Sequence, residues 1–95
     1  MIVSFGDKAT QDIWDGTDSR EARSIPKDVW PAARRKLDLV DGAQELRDLK
    51  GVGNQLEKLK GELAGFWAIR VNDKYRTIFK FVNGNASDVR IVDYH

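Results

Sequence analysis

Apolar residues recur along this chain in two rhythms, and the change from one to the other sets out its architecture. Met1–Phe5 alternates and is rich in β-formers, which predicts a short first strand. Gly6 and Asp7 offer a turn and an N-cap. The segment Lys8–Asp15 then predicts a short helix, with Ala9 and Ile13 on one face and Gly16 at its end. Thr17–Ser24 reads as a polar loop. The main helix is expected within Pro26–Ala43, where Trp30, Ala33, Leu37 and Val40 form one stripe. Pro31 has no N–H to give a helix interior, so it belongs in the first turn and the regular helix should begin near Trp30. Gln44–Lys50 keeps Leu46 and Leu49 for a further helical turn, and Gly51 to Asn54 is a breaker loop.

From Gly65 onward the period becomes two. Phe66–Val71, Tyr75–Val82 and Val89–Tyr94 read as strands. The turns between them are Asn72-Asp73-Lys74 and Asn83-Gly84-Asn85, because Asn, Asp and Gly tolerate positive φ. The expected fold is α+β: an N-terminal strand and helices packed on one face of a small antiparallel sheet, in a single domain spanning residues 1–95. Trp30, Trp67, Ile69, Val71, Phe79 and Phe81 are assigned to its core. Arg76 alternates away from them, beside Ile78 and Lys80.

Composition narrows the setting. Hydrophobic residues make up 41% of the 95 residues and charged residues 33%, a globular balance. There is no cysteine, so disulfides and thiolate metal sites are excluded, and a reducing cytoplasm is the expected location. No run approaches the ~20 apolar residues of a membrane span, so no membrane partner is expected. Net charge is only +1, but basic residues outnumber acidic ones in the second half of the chain.

The chemistry within reach is narrow. His95 is the one histidine, and no Gly-x-Ser-x-Gly elbow accompanies it. The nitrogen and sulfur ligands of a zinc site are missing, and Gly51-Val52-Gly53 lacks the Lys-Ser/Thr of a phosphate loop. Neither metal nor cofactor is expected. What remains is acid–base chemistry with cationic charge stabilisation. RNA suits such a site because its 2′-hydroxyl is a built-in nucleophile. A base, a cation and an acid then suffice, and Glu57, Lys58, Lys60, Arg76, Lys80 and Asp93-Tyr94-His95 contain such a set.

Three segments carry a resemblance. Glu45–Leu49 followed by Gly53–Gly61, then Gly65–Arg76, then Ile91–His95 resemble, in order, HigB-type toxins of the RelE/ParE superfamily. The elements Leu-x-x-Leu-Lys-Gly, Arg-Val-Asn-Asp-x-Tyr-Arg and Asp-Tyr-His are specific in combination. The resemblance implies a RelE-like fold and ribosome-dependent cleavage of mRNA through the 2′-oxygen, without metal. It also implies a small helix-turn-helix antitoxin of the HigA kind, with which the toxin forms a hetero-oligomer that binds operator DNA. Matched position by position, it points to Lys60, Arg76, Asp93, Tyr94 and His95 as site residues. Where some members carry histidine this chain has Glu57, as other HigB-like sequences do, so the base is left open between Glu57 and His95. Lys58, Arg70 and Lys80 are expected RNA contacts. Without the resemblance, His95 reads as a frayed terminus, Arg76 as a solvated strand arginine, Lys60 as a surface lysine, and Glu57 as a partner for Lys58 or Lys60. Two alternatives accompany the nuclease: a ParE-like toxin that binds DNA gyrase and cuts no RNA, and an inactive relative that only binds antitoxin.

Overall fold

A computed structural model describes residues 1–51 and 53–94. Helix α1 is Lys8–Asp15. Its start is set by Asp7, in extended conformation, whose carboxylate accepts the Thr10 N–H at 2.8 Å. Its end is set by Gly16 at φ 79°, a left-handed position that a Cβ would strain. Helix α2, Trp30–Gly42, begins where Pro31 allows and buries the predicted stripe of Trp30, Ala33, Leu37 and Val40. Short 3₁₀ turns occupy Ala22–Ser24, Lys27–Val29, Leu46–Leu49 and Gly61–Leu63.

The sheet is an antiparallel meander of four strands in sequence order: β1 Glu57–Lys58, β2 Trp67–Arg70, β3 Tyr75–Val82 and β4 Asn85–Asp93. Strand β1 was not expected. It is a two-residue edge, paired Glu57 to Ala68 and Lys58 to Trp67, too short to show a period in sequence. Strand β4 starts four residues earlier than expected, because the hairpin turn needs only Asn83 and Gly84, both at positive φ (51° and 79°). Its polar opening residues hide the alternation. A bulge hides it further: Ile78 faces Arg90 but Lys80 faces Ser87, with Asp88 at φ 52° as the extra residue.

The expected first strand is corrected. Met1–Phe5 runs parallel to β4, but only Ile2 with Ala86 and Phe5 with Val89 form bridges. The β4 bulge lies between them, and the Asp88 N–H there goes to the Ser4 hydroxyl at 2.9 Å rather than to backbone. Beyond Gly6 the edge of β4 is covered by α1 instead. The buried Thr10 hydroxyl accepts the Ile91 N–H at 2.9 Å. Thr10→Val keeps the volume and removes the acceptor. It is expected to cost about 1–3 kcal/mol, the penalty of an orphaned buried donor, read as a lower urea midpoint at unchanged m-value.

The main core lies between the helices and one sheet face. Ile13, Leu37, Val40, Ile69, Phe79 and Val89 are fully buried there. Trp30 is buried, its indole N–H donating to the Ile25 carbonyl at 2.8 Å. Val71 is buried too, while Trp67 and Phe81 are half-buried against the core. The other sheet face is not an ordinary solvated one. Leu59, Phe66, Ala68 and Ile78 form a second, small core on it, with Leu63 and Val92 at its margin. Among the described residues no helix is long and apolar enough to cross a membrane.

Candidate active site

Strand registers decide which polar residues share this second face. Glu57, Ala68, Ile78 and Arg90 form one row across the four strands, and Arg70, Arg76 and Val92 form the next. Side chains in directly paired positions share a face, so Glu57, Arg70, Arg76 and Arg90 all rise beside the small core. Tyr94 follows in phase with Val92, its N–H donating to the Lys74 carbonyl at 2.8 Å.

Tyr94 closes the arrangement. Its ring lies 5.0 Å from the Arg76 guanidinium, a stacking cation–π contact. Its hydroxyl donates to Glu57 Oε2 at 3.2 Å. Groups 37 residues apart therefore meet above β3. Burial, and after it the Glu57 carboxylate, push the Tyr94 phenol above its usual range, while Arg76 pulls the other way. The phenol thus stays protonated near neutral pH and donates to Glu57. Arg76 is oriented from below: it donates to the Asn72 carbonyl at 2.6 Å and the Tyr75 carbonyl at 3.1 Å. It is half-buried rather than a freely solvated arginine. The Asn72 side chain in turn accepts the Lys74 and Tyr75 N–H groups at 2.9 and 2.8 Å, which fixes the turn carrying that carbonyl.

Edge strand β1 needs anchoring to hold Glu57 in place. The preceding loop supplies it through Asn54, a buried polar residue. Asn54 accepts the Arg70 N–H through its backbone carbonyl at 2.6 Å. Its side chain donates to the Leu49 carbonyl at 3.2 Å and accepts from Lys36 on α2 at 2.5 Å. Burial, followed by repulsion from Arg35 and Arg70, lowers the Lys36 pKa.

The other sequence-selected residues divide. Lys58 is paired with Trp67 and so lies on the opposite face of β1 from Glu57. Lys60, just before the turn at Gly61, is exposed. Its side chain makes no hydrogen bond or ion pair among the described residues. Arg70 is ion-paired with Asp73. Lys80 lies 5.2 Å from the Phe66 ring and 3.5 Å from Asp88. Asp93 is paired in register with Tyr75 on the helix-bearing side, with Lys74 Nζ at 3.6 Å. His95 lies outside the described residues. Among those described, Glu57, Arg76 and Tyr94 come together. Sequence reading missed Arg90, because the bulge and the late strand start concealed its phase.

Comparison with known proteins shows the family to which the chain belongs. Residues 3–95 match the family described as RelE-like toxin of type II toxin-antitoxin system HigB. Toxin HigB-1 of Vibrio cholerae is 40% identical over 87 residues, which is 90% of each chain. Endoribonuclease HigB of Proteus vulgaris is 37% identical over 96 residues, covering both chains fully. In fold, a YoeB–YefM complex from Staphylococcus aureus matches with a TM-score of 0.62 at 18% identity, covering 100% of this chain and 98% of that one. A YoeB/ParE toxin from Agrobacterium tumefaciens matches at 0.61 and 13%, over 99% and 98%. The family match runs through the whole meander, so the sheet that gathers Glu57, Arg76 and Tyr94 lies wholly within it, and the chain belongs to the RelE-like HigB toxins of type II toxin–antitoxin systems.

Proposed function

We propose that this protein is a toxin that cleaves messenger RNA at the ribosome, in the cytoplasm, using the RNA 2′-oxygen as nucleophile. The observation that carries the reading is the junction of Glu57, Tyr94 and Arg76 on one sheet face. It joins a carboxylate, an aromatic stacking surface and a fixed cation. A relative 37% identical bears the name endoribonuclease, which supports it.

Cleavage forms a bond from the 2′-oxygen to phosphorus and breaks the bond from phosphorus to the 5′-oxygen. The products are a 2′,3′-cyclic phosphate and a free 5′-hydroxyl. Glu57 or His95 takes the 2′-proton and the other gives a proton to the leaving 5′-oxygen. Arg76 stabilises the charge gathering on the phosphorane, with Lys60 adding positive potential from the neighbouring turn. Tyr94 stacks on a base and positions Glu57. Asp93 orients the C-terminal end of β4, and Arg70 and Lys80 guide the strand. The ribosome supplies much of the substrate orientation, since few groups here grip RNA alone. A HigA-like helix-turn-helix antitoxin silences the toxin, in a hetero-oligomer that binds operator DNA. The S. aureus structural neighbour is itself a YoeB–YefM complex, which supports a partnered state.

The test is transcript mapping after a short induction pulse without antitoxin. New 5′ ends within translated frames are expected. Intact mRNA with DNA-damage signals would instead identify a gyrase poison, and normal growth would identify an inactive relative. Tyr94 gives a graded check. Tyr94→Phe keeps the ring over Arg76 and loses only the bond to Glu57, so cleavage should fall modestly. Tyr94→Ala also loses a base-stacking surface worth about 1–3 kcal/mol and should fall about 10-fold or more. Equal activity of the two would remove stacking from the role of Tyr94.

A further inference from the structure

Arg90 is an unusual arginine for a small sheet. Its Nε is buried and has no hydrogen-bond partner. No carboxylate pairs with it among the described residues, whereas Lys80 faces Asp88 and Arg70 faces Asp73. Its guanidinium carbon lies 5.2 Å from the Phe66 ring. Its stem lies directly over Gly6: a Cβ there would come within 2.4 Å of Nε and 2.5 Å of Cγ. The side chain is therefore held between a glycine floor and an aromatic wall, with its charge unneutralised.

Position gives this charge a use. Arg90 pairs with Ile78, and Arg76 pairs with Val92, in a regular stretch of β3 and β4 on the far side of Ile78 from the bulge. Arg76 and Arg90 are thus diagonal neighbours on one face, about 7–8 Å apart at the backbone, a separation that one nucleotide step of an extended strand can span. Planar guanidinium groups bind phosphate through paired N–H bonds.

We propose that Arg90, pre-placed by Gly6 and Phe66, binds the RNA phosphate adjacent to the scissile one. Arg76 serves the reacting phosphate and Arg90 its neighbour, so the two set the direction in which the strand crosses β3 and β4. This rests on the nuclease reading above.

The test uses the full chain on ribosomes carrying a synthetic mRNA, with a neutral methylphosphonate placed in turn at the linkage on either side of the cleaved one. Arg90→Gln should lower kcat/KM about 10-fold or more, a charged hydrogen bond's worth, chiefly through KM. Arg90→Lys should recover part of the loss. Gly6→Ala, which keeps the charge but displaces the guanidinium, should lower kcat/KM in the same sense. One of the two methylphosphonates should slow the wild type to a similar degree and slow Arg90→Gln no further. Rates are compared below the unfolding midpoint of every variant, because a Gly6 Cβ must push the Arg90 stem aside. Wild-type rates for Arg90→Gln or for Gly6→Ala, or additive losses for Arg90→Gln with both modified linkages, would overturn the inference while leaving the nuclease intact. An absence of cleavage by the wild type would instead sink the reading beneath it.

Discussion

Arg76→Ala is expected to lower mRNA cleavage by about 10²–10³-fold, the usual cost of removing one preorganised charge stabiliser from a transition state. The fold should survive. Arg76 donates to two carbonyls of its own turn, Asn72 and Tyr75, and the Tyr75 carbonyl keeps the Val71 and Asn72 N–H groups as donors. The loss is then about 1 kcal/mol, or a midpoint shift of about 4–8 °C for a domain of this size. Tyr94 would lose its guanidinium platform but keep its bond to Glu57. The informative comparison is Arg76→Lys. It restores the charge without the planar fork, so partial recovery is expected. A soluble, folded Arg76→Ala protein that cleaves at the wild-type rate would remove Arg76 from the mechanism. An unfolded one would make it a structural residue.

His95→Gln should slow cleavage by about 10²-fold or more, the contribution of one proton-transfer group. His95 is the only histidine in the chain. It is therefore the only side chain whose ordinary pKa, ~6.5, lies near neutrality. Glutamine keeps hydrogen-bonding capacity and cannot carry a proton in that range. The pH profile assigns the role. If the substitution removes an acidic limb, where rate rises with pH, His95 is the base and Glu57 is not. If it removes an alkaline limb, His95 is the acid, and Glu57→Gln should then remove the acidic limb. Antitoxin affinity and thermal stability should be unchanged. Wild-type toxicity of His95→Gln at matched protein level would leave Glu57 with Lys60 as the pair to test.

The positions of these residues are legible in the sequence to different degrees. Arg76 was placed on the correct face because β3 alternates without interruption from Tyr75 to Phe81. That face was expected to face solvent, yet it carries its own small core of Leu59, Phe66, Ala68 and Ile78. The reason is that Leu59 and Phe66 flank a turn, where no period announces which side they cover. Read without the resemblance, Glu57 pairs with Lys58 or Lys60, its sequence neighbours; in the structure it meets Tyr94. Alternation separates adjacent strand residues, while a long aromatic side chain can reach across two strands. Arg90 was invisible because a single bulge residue, Asp88, inverts the alternation in β4.

Local patterns in the sequence determined the helices, their caps, the hairpin turns and the order of the last three strands, because these depend on contacts within a few residues. They also determined the available chemistry: no thiol, one imidazole, and a surplus of cations in the second half. Tertiary structure alone decided the rest. It made Met1–Phe5 a pair of bridges rather than a strand, and turned Glu57–Lys58 into an edge strand held by Asn54. It set Glu57, Arg76, Arg90 and Tyr94 on one face and put Lys58 on the other. The physical reason is register. Side-chain direction reverses with every residue along a strand, so one bulge or a two-residue edge decides which groups meet, and that depends on partners far away in the chain.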